Sequence, residues 1–229
     1  MKRGALLLLT AVLTAQSAPE VEVTAEPHHH LAFTNDQVRV FNVEIAPHSE
    51  TLMHLHRHDY IYVNLGAAEV VNAVKGKAPV TVKLQDGDTN FLSAGFSHSA
   101  RNLSTQPFRD VIIELLQDDK LRRSPAHWGE DRGLEILQGG TKEILFVKDG
   151  VRVSELELQP GAIIPKHHHT GPHLAVALTD YQLRSDVAGQ NPVTLSFRAG
   201  ESKWLPGGYT HTVTNTGQHV AKFVTLEFP

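Results

Sequence analysis

Residues 200–215, GESKWLPGGYTHTVTN, and residues 87–102, GDTNFLSAGFSHSARN, are two versions of one pattern. Gly87, Leu92, Gly95, His98 and Asn102 return as Gly200, Leu205, Gly208, His211 and Asn215, each 113 residues later. The same offset carries Phe33 onto Phe146, Asp36 onto Asp149, and Val38-Arg39-Val40 onto Val151-Arg152-Val153. It also carries Pro79-Val80-Thr81 onto Pro192-Val193-Thr194, and Glu114 onto Glu227. One offset without net insertion marks an internal duplication of a unit of about 90 residues, longer than a solenoid repeat.

Within each copy the apolar pattern is that of strands. Arg39–Ile45 and Arg152–Leu158 alternate apolar with polar residues, and Pro47 and Pro160-Gly161 are expected to close them. Val80–Leu84 and Val193–Phe197 alternate likewise, and Asp86-Gly87 and Asp149-Gly150 read as turns. Short strands between turn signals, with no long 3.6-residue period, predict an all-β barrel or sandwich. A unit of this size buries a core by wrapping two sheets over one another, as jelly rolls do. The expected organisation is one domain over 18–118, a polar connector with one short helix over 119–140, and a second domain over 141–229.

Composition narrows the chemistry. The 229 residues carry a net charge of −4 without basic clusters, which argues against nucleic acid as a partner. Cysteine is absent, so thiolate metal sites, Cys nucleophiles and disulfides are excluded. Histidine is abundant, at 15 residues, and imidazole is the main transition-metal donor left. Lys2 and Arg3, the apolar run Ala5–Ala15 and the small residue Ser17 form the pattern of a cleaved signal peptide over residues 1–17. That run is too short for a bilayer core, which needs about 20 residues, and no other segment is apolar enough to span. The expected location is therefore secreted or periplasmic.

The first copy contains His54-Leu55-His56-Arg57-His58-Asp59-Tyr60-Ile61-Tyr62. Read as one strand, it places His54, His56, His58, Tyr60 and Tyr62 on a single face. In the second copy His167, His169 and His173 have matching parity, with Gly171 where His58 stood. His98 and His211 follow in each copy. Two imidazoles two residues apart, plus one from a neighbouring strand, make a facial metal site. His28, His29 and His30 have no counterpart in the second copy and are expected to form a surface tract. His48, His127, His168 and His219 are expected to be ordinary polar positions.

With these residues in view, the sequence resembles the cupin superfamily, whose motifs are G-x5-H-x-H-x3,4-E-x6-G and G-x5-P-x-G-x2-H-x3-N. Gly200, Pro206, Gly208, His211 and Asn215 reproduce the second motif in full. Gly87, Gly95, His98 and Asn102 reproduce it with Ser93 for the proline. His54, His56 and Gly66, and then His167 and His169, carry the first. The resemblance covers nearly the whole mature chain and implies a bicupin. Each of its two tandem jelly-roll barrels would hold a metal on three His and usually one Glu.

The departure is that Glu: Tyr60 stands there in the first copy and His173 in the second. Nitrogen-only donors rank Fe, Zn, Ni or Cu above Mn, whereas the oxalate decarboxylases, secreted bicupins, use manganese with three His and the Glu. The expected ligands are His54, His56 and His98 in an open first site, and His167, His169, His173 and His211 in a saturated second site. Tyr60 is open to a role as phenol ligand or as a donor behind the ligands, and His58 to one as fourth ligand or acid/base. His58 and Tyr60 together are the candidate proton-transfer pair. Glu114 and Glu227 are expected to be structural. Two functions stay open: an exported metalloenzyme, of dioxygenase or Lewis-acid type, acting on a small anionic or chelating molecule, and a non-catalytic metal- or ligand-binding protein. The resemblance also implies a homodimer paired through sheet edges.

Overall fold

The computed structural model describes residues 20–122, 128 and 132–229. The expected leader and His127 lie outside the described residues. The first half contains β1 (Val21–Glu22), a single 3-10 turn (Val23–Ala25), β2 (His29–Thr34), β3 (Val38–Ile45) and β4 (His54–His56). It continues with β5 (Tyr60–Leu65), β6 (Ala68–Val74), β7 (Val80–Leu84), β8 (Thr89–Leu92), β9 (Phe96–Asn102) and β10 (Phe108–Leu115). After α1 (Asp118–Arg122) come β11 (Gly133–Lys148), β12 (Val151–His169), β13 (His173–Ala177) and β14 (Tyr181–Val187). The last strands are β15 (Val193–Phe197), β16 (Ser202–Leu205), β17 (Tyr209–Asn215) and β18 (Ala221–Glu227). Strands β7, β8 and β9 reappear 113 residues later as β15, β16 and β17 with identical bounds. β11 starts inside the stretch expected to be connector.

Each half closes as a two-layered barrel. In the first, the layers are β1-β4-β9-β6-β7 and β2-β3-β10-β5-β8. In the second, the two layers are continuous, in the order β15-β14-β17-β12-β18-β13-β16, with β11 on β12. The join is β12. Pro160-Gly161 was expected to end this strand, but it runs on to His169. Its first part, Arg152–Leu158, pairs with β18, and its last part, Ile163–His169, pairs with β17. The strand turns the barrel corner between them, with Gly161 at φ +79° and a register shift between Ile164 and His167. The first copy breaks at the matching place, where Pro47 and His48 (φ +61°) separate β3 from β4.

Three cores hold the two barrels. Phe41, Val43, Ile45, Phe108 and Ile112 fill the first, and Leu156, Leu158, Ala175, Leu183 and Phe223 line the second. The third lies between them, where Val38, Val40, Ile61, Val111 and Ile113 pack with Val153, Leu174, Val176, Val224 and Leu226. β10 and β18 are consequently buried on both faces.

Gly171, at the bend between β12 and β13, is confined by the chain end: a Cβ there would lie 2.2 Å from the Phe228 carbonyl oxygen. Backbone cannot yield as a flexible side chain can. Gly171→Ala is expected to destabilise the fold by about 1–3 kcal/mol, measured by urea unfolding.

Candidate metal centres

In the second barrel, β12 and β17 set His167 directly opposite His211, and His169 projects beside them. The three Nε2 atoms form a triangle. His167 to His169 is 3.1 Å, His169 to His211 is 3.1 Å, and His211 to His167 is 3.0 Å. Each Nδ1 faces another group. His167 Nδ1 donates to the Pro165 carbonyl at 2.7 Å, and His169 Nδ1 lies 3.5 Å from Glu227 Oε1. His211 Nδ1 is hydrogen-bonded to Ser185 Oγ at 2.7 Å. With the Nδ1 protons directed at a carbonyl and a carboxylate, His167 and His169 present bare Nε2 lone pairs to one another. Burial lowers the pKa of His167, and burial followed by the neighbouring imidazoles takes that of His211 down to about 4. The His211 ring is therefore neutral at neutral pH.

Such a convergence of lone pairs fits a cation. Nitrogens about 2.1 Å from one ion and at right angles around it lie about 3.0 Å apart, the spacing seen here. Behind the triad, Arg152 Nε donates to Glu227 Oε2 at 2.8 Å. Burial opposes ionisation of Glu227, but His169, Lys142 and Arg152 together hold its pKa down to about 2. An ionised carboxylate behind a ligand imidazole fixes the ring and raises its basicity. A cavity of about 230 Å³ opens over the triad, lined by Lys142, Tyr209, Leu156, Leu183, Phe197 and Phe223 among others.

The first barrel repeats this framework. His54 pairs with His98 across β4 and β9, and His54 Nδ1 donates to the Leu52 carbonyl at 2.8 Å. His98 Nδ1 donates to Asn72 Oδ1 at 2.8 Å, Asn72 being the counterpart of Ser185. His56 Nδ1 lies 3.6 Å from Glu114, which Arg39 approaches at 2.9 Å. His54 and His56 are 0% exposed, and the Nε2 atoms of His54, His56 and His98 find no hydrogen-bond partner among the described residues. Each such buried atom costs about 1–3 kcal/mol if it stays unsatisfied. Burial, then the neighbouring His29, brings the pKa of His54 down to about 3.

Here the surface tract expected at His28–His30 needs correction. His30 is exposed, but His29 is buried, with its ring centroid 4.6 Å from that of His54. His29, His54 and His56 each offer a ligand atom within 4.8 Å of the other two. Glu114 and Glu227 are likewise more than structural, since both back a site imidazole. In the first barrel His29 joins His54 and His56, with His98 beside His54, whereas in the second barrel three imidazoles meet.

The single-face reading of residues 54–62 also fails, because the chain bends at His58 between β4 and β5. His58 sits on that bend, outside the group formed by His29, His54 and His56. Tyr60 follows the bend, at the start of β5. It stacks on His56, with centroids 4.1 Å apart at 22°, and burial pushes its pKa well above the ordinary phenol value. His173 occupies the same place in the second barrel, stacked on His169 at 4.0 Å and 14°, and is not part of the triad. The rest of the predicted second-site set, His167, His169 and His211, is brought together. Exposed His168 meets Thr210 Oγ1 at 3.0 Å.

Neither a family model nor a curated protein sequence matches the chain. Solved structures do. A Lactobacillus farciminis oxalate decarboxylase in complex with formate superposes with a TM-score of 0.62 at 15% identity, over 85% of this chain and 78% of that one. A Bacillus subtilis oxalate decarboxylase with Mn(II) centres superposes with a TM-score of 0.61 at 14% identity, over 84% and 69%. The chain has the cupin fold. At this identity the likeness establishes that fold alone. It nevertheless overturns the ranking of Fe, Zn, Ni and Cu above Mn, since a protein of the same cupin fold carries Mn(II). The ranking rested on the missing motif Glu. In this chain, buried carboxylates stand directly behind the imidazoles instead, at Glu114, Glu227 and Glu26.

Proposed function

We propose that the second barrel holds a divalent transition-metal ion on His167, His169 and His211, and that the cavity above binds and transforms a small anionic or chelating molecule. The observation that carries this reading is the Nε2 triangle at the base of a cavity, with three nitrogens at 3.0–3.1 Å from one another. A metal bound there would polarise a substrate oxygen as a Lewis acid and leave positions open for it. The rest falls to the chain's own residues. Leu156, Leu183, Phe197 and Phe223 exclude water from the cavity walls. Lys142 reaches the same cavity and supplies a cation for a carboxylate or enolate. Burial lowers its pKa and the Glu227 charge acts in the opposite direction. In this reading the leader over residues 1–17 exports the protein, so its substrate is met outside the cytoplasm.

The test is to reconstitute tag-free protein with each divalent ion in turn, manganese included. Small carboxylates, diketones and catechol-type acids are then screened for consumption and for oxygen uptake. Turnover supports an enzyme. A bound ion with no consumption and no heat of ligand binding would reject substrate transformation at this site. Lys142→Ala is expected to leave metal content unchanged and to weaken binding of a small carboxylate about 10- to 100-fold, the loss of one charge-assisted contact. Calorimetric titration measures it, and an unchanged affinity would remove Lys142 from the anion site.

A further inference from the structure

We infer that the first barrel is a second metal site of a different kind: a closed shell of four imidazoles, His29, His54, His56 and His98, which retains its ion and takes no substrate. The ring centroids stand as they do in the second barrel. His54 to His98 is 4.5 Å, His54 to His56 is 5.2 Å and His56 to His98 is 5.3 Å, against 4.5, 4.8 and 5.1 Å in the second triad. His54 and His56 are fully buried, and their Nε2 atoms have no hydrogen-bond partner among the described residues.

The fourth imidazole arrives on the N-terminal strap. β1 pairs in parallel with β4, placing Val21 beside His54, and β2 crosses to the other layer to pair with β3. Between them lies Glu26, whose side chain is 0% exposed. Its Oε2 accepts the His29 Nδ1 proton at 2.6 Å and the His28 backbone N–H at 2.8 Å. Its Oε1 faces His28 Nδ1 at 2.9 Å and accepts the Leu52 N–H at 3.1 Å. Leu52 in turn holds His54 through its carbonyl. Glu26 therefore locks His29 and His54 into one unit, leaving His29 Nε2 as the free donor atom. At the offset of 113 residues, Lys142 stands where His29 does. One position of the duplicated fold thus supplies a fourth imidazole in the first barrel and an ammonium facing the cavity in the second.

The experiment is chelator competition on the whole protein loaded with zinc, read by elemental analysis and by the rate of zinc transfer to EDTA. The wild type is expected to carry two equivalents, one released fast and one at least tenfold more slowly. His167→Ala should lose the fast equivalent and keep the slow one. His29→Ala should lose the slow equivalent or release it at least tenfold faster. Glu26→Gln, which keeps the side-chain shape, should speed that release in the same direction if His29→Ala fails to fold. A wild type with only the fast equivalent overturns the inference, and so does a slow phase that neither variant alters. Loss of the fast equivalent in the wild type strikes at the second-barrel proposal instead, so the two failures are distinct.

Discussion

His167→Ala is expected to strip the second barrel of its metal while leaving the fold intact. The substitution removes one of three nitrogens that meet at 3.0–3.1 Å. Loss of a group merely supporting a ligand costs about 10- to 100-fold in metal affinity, so loss of a ligand should exceed 100-fold. Stability of the metal-free protein should change little. His167 is half-buried at the cavity edge, and its Nδ1 partner is the nearby Pro165 carbonyl, which water can satisfy. His168→Ala is the matched control. Its exposed side chain meets Thr210 Oγ1, is not one of the three converging imidazoles and should not affect metal content. Equilibrium dialysis against a single divalent ion distinguishes the two. Full retention of metal by His167→Ala would show that the ion is held elsewhere.

What could be read from the sequence was whatever repeats or alternates. The 113-residue offset gave the duplication, and three strand pairs obey it to the residue. His98 and His211 were legible because the glycine-rich turns before them are local features. His29 was not. Its counterpart is Lys142, so comparison of the two copies erased it, and its role depends on a strap crossing between layers. Glu114 and Glu227 were hidden for another reason. Strands β10 and β18 face a barrel interior on one side and the other barrel on the other, so both faces are apolar and alternation carries no direction. The error at His58 came from extending a period of two across a bend that no proline or glycine announces. In the second copy Gly171 marks the same bend.

Asp110→Asn is expected to stabilise the protein strongly at alkaline pH and not at all near pH 4. Asp110 lies on β10 between Val43 and Asn64, on the interior face shared with Phe108 and Ile112, where the second copy places Phe223. It is 8% exposed, and its Oδ1 has no hydrogen-bond partner among the described residues. Burial alone raises its pKa from the ordinary carboxylate value to about 8. The native state therefore keeps a proton that the unfolded chain releases near pH 4. Between about pH 4 and 8 the unfolded state binds fewer protons, so this residue makes native stability fall as pH rises. Above pH 8 both states are ionised and the penalty is complete. Each pH unit of displacement corresponds to about 1.4 kcal/mol, which puts the full effect on the order of several kcal/mol. Asparagine keeps the shape of the protonated acid and cannot ionise. The two proteins differ only at this carboxyl, so the difference between their urea-unfolding free energies isolates Asp110. That difference should be near zero at pH 4 and reach several kcal/mol by pH 8.5, and a constant difference across this range would mean that the carboxyl is solvated in the native state.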